Sequence, residues 1–279
     1  MTDDSATRTA AHATADLRST MRARLRETDA LLFCTDFDGT LADIDVDPDA
    51  PTIAAGNRTA LETLRDHDRT HVAVISGREL ADLRDRVGVS GIVYAGNHGL
   101  ELDRNGDTTV HPVATKRKRE LERIVADIED ELEDTECFVE DKSVSATVHY
   151  RTVPEREADV HDAVAAAVER VAPGGFDCST GKEIVELAPA VPWDKGRVVS
   201  LLAADHENSL AVYIGDDTTD EAAFEALSAA DIGIHIGLDG ETAADYRLAD
   251  PAAVETFLEW LSTTGLDALD TTEESENDG

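Results

Sequence analysis

"LLFCTDFDGTLADI", residues 31–44, runs from five apolar or small residues into two aspartates around Phe37, then at once into a glycine, a threonine and a leucine. A short apolar run closed by a tight turn reads as a strand buried on both faces. Its core has no use for paired carboxylates. Asp36 and Asp38 therefore belong to its carboxyl end, where an open parallel sheet presents its functional crevice.

The same pattern recurs downstream. Apolar runs stand at 71–76 ("HVAVIS"), 91–96 ("GIVYAG"), 211–216 ("AVYIGD") and 232–237 ("IGIHIG"). Helical periodicity fills 56–67, 78–87, 195–205 and 219–229 between them. Alternating strands and helices imply an α/β fold with a parallel, Rossmann-like sheet covered on both faces. From about 108 to 188 the rhythm changes. Leu121, Ile124, Val125, Ile128 and Leu132 share one helical face, and "VSATVHYR" alternates like a half-solvated strand; a second helix and "GKEIVELAP" repeat the scheme. The expected organisation is a polar N-terminal extension over 1–28, with a short helix through "LRSTMRARL". A core follows over 29–107 and 189–265, with an inserted α+β domain of order αββαββ over 108–188. An acidic, disordered tail covers 266–279.

Composition limits the function. There are 60 acidic against 25 basic residues, a net charge of −35, and five of the basic residues are lysine. A basic partner and a salt-rich solvent both fit such acidity. Its spread along the whole chain favours adaptation to salt, since only screening makes the self-repulsion tolerable. The single basic cluster, "KRKR" at 116–119, is diluted by acids, so no nucleic-acid partner is expected. No apolar stretch is long enough to span a membrane, and the first residues do not resemble a secretory signal, so a cytoplasmic location is expected. Cys34, Cys137 and Cys178 lack metal-ligand spacing and read as reduced thiols.

Every polar motif follows an apolar run. Asp36 and Asp38 end the first, Ser76-Gly77-Arg78 the second, Asn97-His98-Gly99 the third, and Asp216, Asp217 and Asp220 the fourth. Asp36, Asp38 and Asp216 brought together would repel one another without a cation among them. Oxygen-only ligands select a hard ion, most simply Mg²⁺. With lysine nearly purged, Lys142, Lys182 and Lys195 survive beside Lys116 and Lys118; a compact ammonium suits a tight phosphate or hydroxyl site, where arginine does not substitute for it. His149 reads as a surface residue of a hairpin, His235 as a satisfied core histidine, Trp193 and Trp260 as packing anchors, and "GLDG" at 237–240 as a turn.

"DFDGT" at 36–40, "SGR" at 76–78, Lys195 in "WDKG" and "GDDTTDEAAF" at 215–224 resemble the signature motifs of the haloacid-dehalogenase (HAD) superfamily of phosphotransferases. Together with "AGNHGLE" (95–101), "VEDKSVSATVHYR" (139–151) and "GKEIVELAP" (181–189), they resemble the trehalose-6-phosphate phosphatases over about residues 30–262. One departure is "ADI" after "DGTL", where the family commonly has a proline.

The resemblance implies a HAD-like core with a cap and a Mg²⁺-dependent hydrolysis of trehalose 6-phosphate. Asp36 would be the nucleophile and Asp38 the general acid and base, with Ser76 and Lys195 holding the phosphoryl group. Asp36, Asp38 (through its carbonyl) and Asp216 would hold the metal, with Asp217 and Asp220 completing or orienting that shell. Amides near Gly39 and Thr40 would assist, and Arg78, Asn97 and His98 would lie by the substrate. Glu140, Lys142, Arg151, Lys182 and Glu186 would address the sugar, or else form cross-strand salt bridges on an exposed face. Another sugar or glycosyl phosphate (sucrose phosphate, glucosylglycerate phosphate) is the alternative substrate, and a non-catalytic sugar-phosphate-binding domain the alternative class. A separate trehalose-6-phosphate synthase would be the functional partner.

Overall fold

In the computed structural model, which describes residues 16–44, 51–181 and 183–270, the run at 31–35 lies inside an eight-stranded sheet. Residues 16–25 form helix α1. Then come β1 (Ala30–Thr35), α2 (Ala55–Asp66), β2 (Thr70–Ile75), α3 (Leu80–Val87), β3 (Val93–Gly96), β4 (Glu101–Arg104) and β5 (Asp107–Val110). The next segment contributes α4 (Pro112–Glu131), β6 (Phe138–Asp141), β7 (Ala146–His149), α5 (Glu157–Val171), β8 (Phe176–Gly181) and β9 (Ile184–Pro189). The chain ends with α6 (Lys195–Asp205), β10 (Ser209–Gly215), α7 (Glu221–Ala226), β11 (Ile232–Ile236), β12 (Tyr246–Leu248), α8 (Pro251–Trp260) and α9 (Asp267–Asp270). One compact unit runs to Thr108 and resumes at Trp193; the other is Thr109–Pro192.

The large unit's sheet has the order β12-β11-β10-β1-β2-β3-β4-β5. β12 through β3 pair in parallel, and β4 turns back antiparallel to β3. Successive residues of β1 feed opposite layers. Leu31 and Phe33 join a core with Val212 and Phe257, whereas Leu32 and Cys34 join one with Tyr213 and Val198. A strand covered on both sides must be apolar throughout, which is why "LLFCT" shows no alternation. Burial pushes the Cys34 thiol up to about 12. The small unit stacks α4 and α5 on one face of a four-stranded sheet, β6-β7-β9-β8, through Leu121, Ile124, Val164, Val148 and Val185.

Several expectations need correction. Residues 16–25 are no polar lead-in: Leu17, Met21 and Leu25 are fully buried in the large unit's core. They recur every four residues and so form one helical stripe. Likewise Leu266, Ala268 and Leu269 are buried, so residues 266–270 pack as structure; 271–279 lie outside the described residues. A boundary at 188 would cut β9, which runs to Pro189. β4 and β5 were not foreseen, because the inward positions of β4 are carboxylates. Asp103 pairs with Arg84 (2.7 Å) and accepts from the Gly106 amide (2.7 Å). His235 is not satisfied at both nitrogens: Nδ1 is buried without a hydrogen-bond partner among the described residues, 3.9 Å from Glu221. Among the described residues no helix is long and apolar enough to cross a membrane.

If α1 is structural, Met21→Ala should lower unfolding stability by about 2–5 kcal/mol, the usual loss for a buried large-to-small change. Urea unfolding at fixed KCl measures it; an unchanged midpoint would return α1 to the status of an appendage.

Candidate active site

Sheet register brings the strand ends together. Thr35 lies opposite Ile214, and the Asp36 amide donates to the Ile214 carbonyl (2.8 Å). Asp36 thus leaves β1 beside the point where β10 delivers Asp216. α6 begins at the same edge. Its N-cap Asp194 accepts from the Arg197 amide (2.9 Å), a standard way to satisfy a helix start. The first helical residue, Lys195, is 2% exposed. A Cβ at Gly196 would stand 2.2 Å from the Ala222 carbonyl, so only glycine lets α6 come this close to the Asp220–Ala222 turn. Lys195 Nζ then donates to Asp220 Oδ1 (2.7 Å) and lies 3.0 Å from Asp36 Oδ1.

Asp220 is a hub. Its Oδ1 accepts from Lys195 and from the Tyr213 hydroxyl (2.5 Å), and its Oδ2 accepts from the amides of Asp216 (3.0 Å) and Asp217 (2.9 Å). A carboxylate has roughly four lone-pair sites, and these four donors use them. Asp217 is exposed and caps the turn through the Thr218 amide (2.6 Å). Asp217 and Asp220 therefore build the loop that presents Asp216.

Oxygens of Asp36, Asp216 and Asp220 all lie within 4.8 Å of one another. Burial, then Asp220, lifts Asp216 to about 7, with Lys195 opposing. Burial also raises Asp36 well above the carboxylate range; Lys195 pulls it down, while Asp220, Asp216 and Asp38 push it up. Burial alone would lower Lys195, but Asp220 and then Asp36 outweigh it and hold the ammonium charged. Three carboxylates thus face one ammonium. A divalent cation would correct that imbalance, and the all-oxygen donor set suits a hard one. Asp36 and Asp216 are the side chains able to hold it, since Asp220 is already saturated. Close approach of the first loop requires Gly39: its φ is +73°, and a Cβ there would stand 2.1 Å from Asp216 Oδ2. The Thr40 hydroxyl lies 3.5 Å from Asp216 Oδ1, and its amide donates to Phe37 O (3.3 Å) rather than standing open for a phosphoryl oxygen.

Asp38 is held from the β2 end. Arg78 Nε and Nη2 each donate to one of its oxygens (2.7 Å), a bidentate fork, and Arg78 Nη1 reaches Asp82 (2.9 Å), which Arg86 also clamps (2.7 Å). Arg78 thus meets the proposed acid–base residue. Ser76 is 1% exposed, and its Oγ accepts from the Arg78 amide (3.2 Å). Asn97 (φ 49°) and His98 (φ 55°) are left-handed, a conformation that costs a non-glycine residue energy and marks an over-determined loop. Asn97 is 1% exposed and donates to Glu101 Oε2 (2.7 Å), which also accepts from the Leu80 amide (3.1 Å). His98 covers Gly77, where a Cβ would meet its ring at 2.7 Å. Trp193 is more than packing: its Nε1 donates to the Gly99 carbonyl (2.8 Å).

In the small unit, Lys142 is 8% exposed, with Nζ 4.0 Å from both Glu140 Oε2 and Glu186 Oε1. Arg151 pairs with Glu183 (3.4 Å). His149 is not idle on its hairpin: Nε2 lies 2.9 Å from Glu140 Oε2. Lys182 lies outside the described residues.

A sequence profile described as Trehalose-phosphatase matches residues 34–252, which contain every residue of the strand-end cluster. The chain belongs to the trehalose-phosphatase family. A trehalose-phosphate phosphatase of Mycobacterium marinum is 38% identical over 234 residues, 80% of this chain and 59% of that protein. An uncharacterized glycosyl hydrolase of Mycobacterium tuberculosis is 38% identical over 241 residues, 81% of this chain but 18% of that protein. The chain therefore spans only part of the length of these relatives. The solved C-terminal domain of the Candida albicans trehalose-6-phosphate phosphatase matches at TM-score 0.75 and 22% identity, covering 88% of this chain and 96% of that one. That likeness shows a shared fold.

Tyr213, Asp82 and Glu101 escaped the sequence reading. Tyr213 sits inside an apolar strand, and the other two are acids in a chain full of them. The only available signal was position: Glu101 closes the stretch at 95–101, and the other two lie within a few residues of a motif.

Two outcomes test this arrangement. Between pH 4 and 7 the folded chain keeps a proton on Asp216 that the unfolded chain has released. Stability from this group is therefore present at low pH and lost as pH rises toward 7. In EDTA and fixed KCl, Tm should fall more steeply from pH 5 to 8 for the native chain than for Asp216→Asn, and added Mg²⁺ should flatten the fall; parallel slopes would refute it. Gly39→Ala should weaken Mg²⁺ binding at least about tenfold by calorimetry, because more than 1.4 kcal/mol of strain is imposed; undiminished affinity would show that the loop can yield.

Proposed function

We propose that the chain hydrolyses trehalose 6-phosphate to trehalose and phosphate through a phosphorylated Asp36, with Mg²⁺ as cofactor. One observation carries the reading: a buried aspartate at the end of β1, 3.0 Å from a buried lysine and beside Asp216, with a second aspartate two residues on. An Asp36 oxygen attacks phosphorus and the P–O bond to the sugar breaks, while Asp38 gives its proton to the departing sugar oxygen. Water then attacks the phosphorus of the acyl phosphate. Asp38 takes the water's proton, the bond to Asp36 breaks, and inorganic phosphate leaves. A divalent cation held by Asp36, the Asp38 carbonyl and Asp216 would neutralise charge on the phosphoryl group.

Lys195 and Ser76 supply fixed donors to the phosphoryl oxygens, the kind of preorganised electrostatics that dominates such chemistry. Arg78 fixes the direction of both Asp38 oxygens. Asn97, held by Glu101, and His98, whose amide donates to the Ser76 carbonyl, shape the loop beside Ser76. In the small unit Glu140, Lys142 and Glu186 bind sugar hydroxyls, with Lys182 and Arg151 alongside. The acidic composition supports work in a salt-rich cytoplasm, and the substrate implies a separate synthase that makes it.

Asp36→Asn should abolish phosphate release while Tm and circular dichroism keep the folded signature; full turnover by this variant would end the covalent scheme. A panel of sugar phosphates in molar KCl with Mg²⁺ should show trehalose 6-phosphate preferred over sucrose phosphate and glucosylglycerate phosphate. A different leader in that panel would keep the chemistry and change the substrate. Binding without phosphate release from any of them would favour a regulatory domain.

A further inference from the structure

Asp38 stands at the head of a row of alternating charges that runs away from the strand ends. Arg78 Nε and Nη2 donate to its two oxygens (2.7 Å each), and Arg78 Nη1 donates to Asp82 Oδ2 (2.9 Å). Arg86 Nε lies 2.7 Å from both Asp82 oxygens, and Arg86 Nη1 donates to the Pro51 carbonyl (2.9 Å). The Arg78 and Arg86 side chains are 15% and 11% exposed, so solvent ions screen these pairs little. Burial would raise Asp82, but Arg86 and then Arg78 outweigh it and keep the carboxylate ionised. The Arg78 guanidinium also lies over the Phe37 ring, 5.6 Å from its centre. Every member of the row belongs to the large unit.

Asp82 sits in the first turn of α3, where an acid stabilises a helix through its dipole. That position explains an acid but not its second partner, because Arg78 comes from the loop before the helix. A guanidinium is planar and rigid. Asp38 grips the edge formed by Nε and Nη2, Asp82 grips Nη1, and two fixed edges set the plane. A carboxylate offers roughly four acceptor sites; the fork takes one on each Asp38 oxygen and leaves one on each to carry a proton. The direction of that remaining site follows the plane of Arg78. We infer that Asp82, backed by Arg86, is a positioning residue for leaving-group protonation: it holds Arg78 at the angle that aims Asp38 at the departing sugar oxygen. In that step the electron pair of the P–O bond stays with the sugar oxygen, which takes the Asp38 proton. A tilted Asp38 therefore slows the step most where the leaving oxygen cannot carry charge unaided. The inference rests on the reading that Asp38 protonates that oxygen.

The test compares kcat/KM of the full chain, with Mg²⁺ in fixed KCl, for two substrates: the sugar phosphate preferred in the panel above (trehalose 6-phosphate expected) and p-nitrophenyl phosphate. A sugar alkoxide needs a proton to leave; p-nitrophenolate is stable without one. Asp82→Asn keeps the shape and removes the charge. It should lower kcat/KM for the sugar phosphate by about 5- to 50-fold, a share of the roughly 10²–10⁴ that a positioned general acid supplies, and that for the aryl phosphate by less than about 2-fold. Asp82→Glu, which keeps the charge, should recover most of the ratio between the two substrates; a ratio no better than in Asp82→Asn would overturn the inference. Mg²⁺ affinity by calorimetry should match that of the native chain in both variants. A role confined to the helix start would lower Tm and leave the two kcat/KM values in proportion, and that result would also overturn it. So would a loss of Mg²⁺ affinity that tracks the loss of activity. Asp38→Asn separates the two levels. A ratio that falls there but holds in Asp82→Asn overturns the role of Asp82 and keeps Asp38 as the acid. A ratio that holds in both variants, or no phosphate release by the native chain, overturns both.

Discussion

Lys195 is the charge on which the strand-end cluster depends. A buried ammonium is stable only when its desolvation is offset by close anions, and here two carboxylates share it. Removing the lysine would leave Asp36, Asp216 and Asp220 facing one another in a poorly solvated pocket. Removing Asp220 would strip the Tyr213 hydroxyl and two loop amides of their acceptor and leave Lys195 with Asp36 alone. The glycine after Lys195 makes the contact possible, since any side chain there would strike the Ala222 carbonyl. Backbone packing of α6 and the electrostatics of the cluster are therefore one constraint.

That constraint divides labour among the acids. Asp220 is saturated by four donors and positions its neighbours. Asp216, lifted toward neutrality by burial, stands beside Asp36 where a cation would sit. Asp36 leaves the strand beside both, and Asp38 is held by the Arg78 fork in a chain that continues through Asp82 to Arg86. Four aspartates of similar intrinsic acidity thus take different roles through their surroundings alone.

The parallel core was legible because strands covered on both faces are continuous apolar runs, and the strand-end cluster because its polar residues had to follow those runs. What stayed hidden depended on partners distant in sequence. β4 hides carboxylates in its inward positions, a pattern that makes sense only once Arg84 and Asn97 are seen beside it. α1 was masked by averaging: three buried residues were outvoted by the polar ones around them. Nothing in "GDDTTDE" says which aspartate is saturated, since Lys195 and Tyr213 decide that. The sugar-binding assignment of the small unit came from resemblance.

The position of Cys34 gives this chain an internal reporter. It lies two residues before Asp36 in a central strand, with its thiol sealed off and kept un-ionised. An alkylating reagent can reach that sulfur only when the sheet itself parts. The rate of its capture would clock the opening of the strand that leads into Asp36. Neither half-buried Cys137 nor exposed Cys178 can give that reading, since both belong to the other unit.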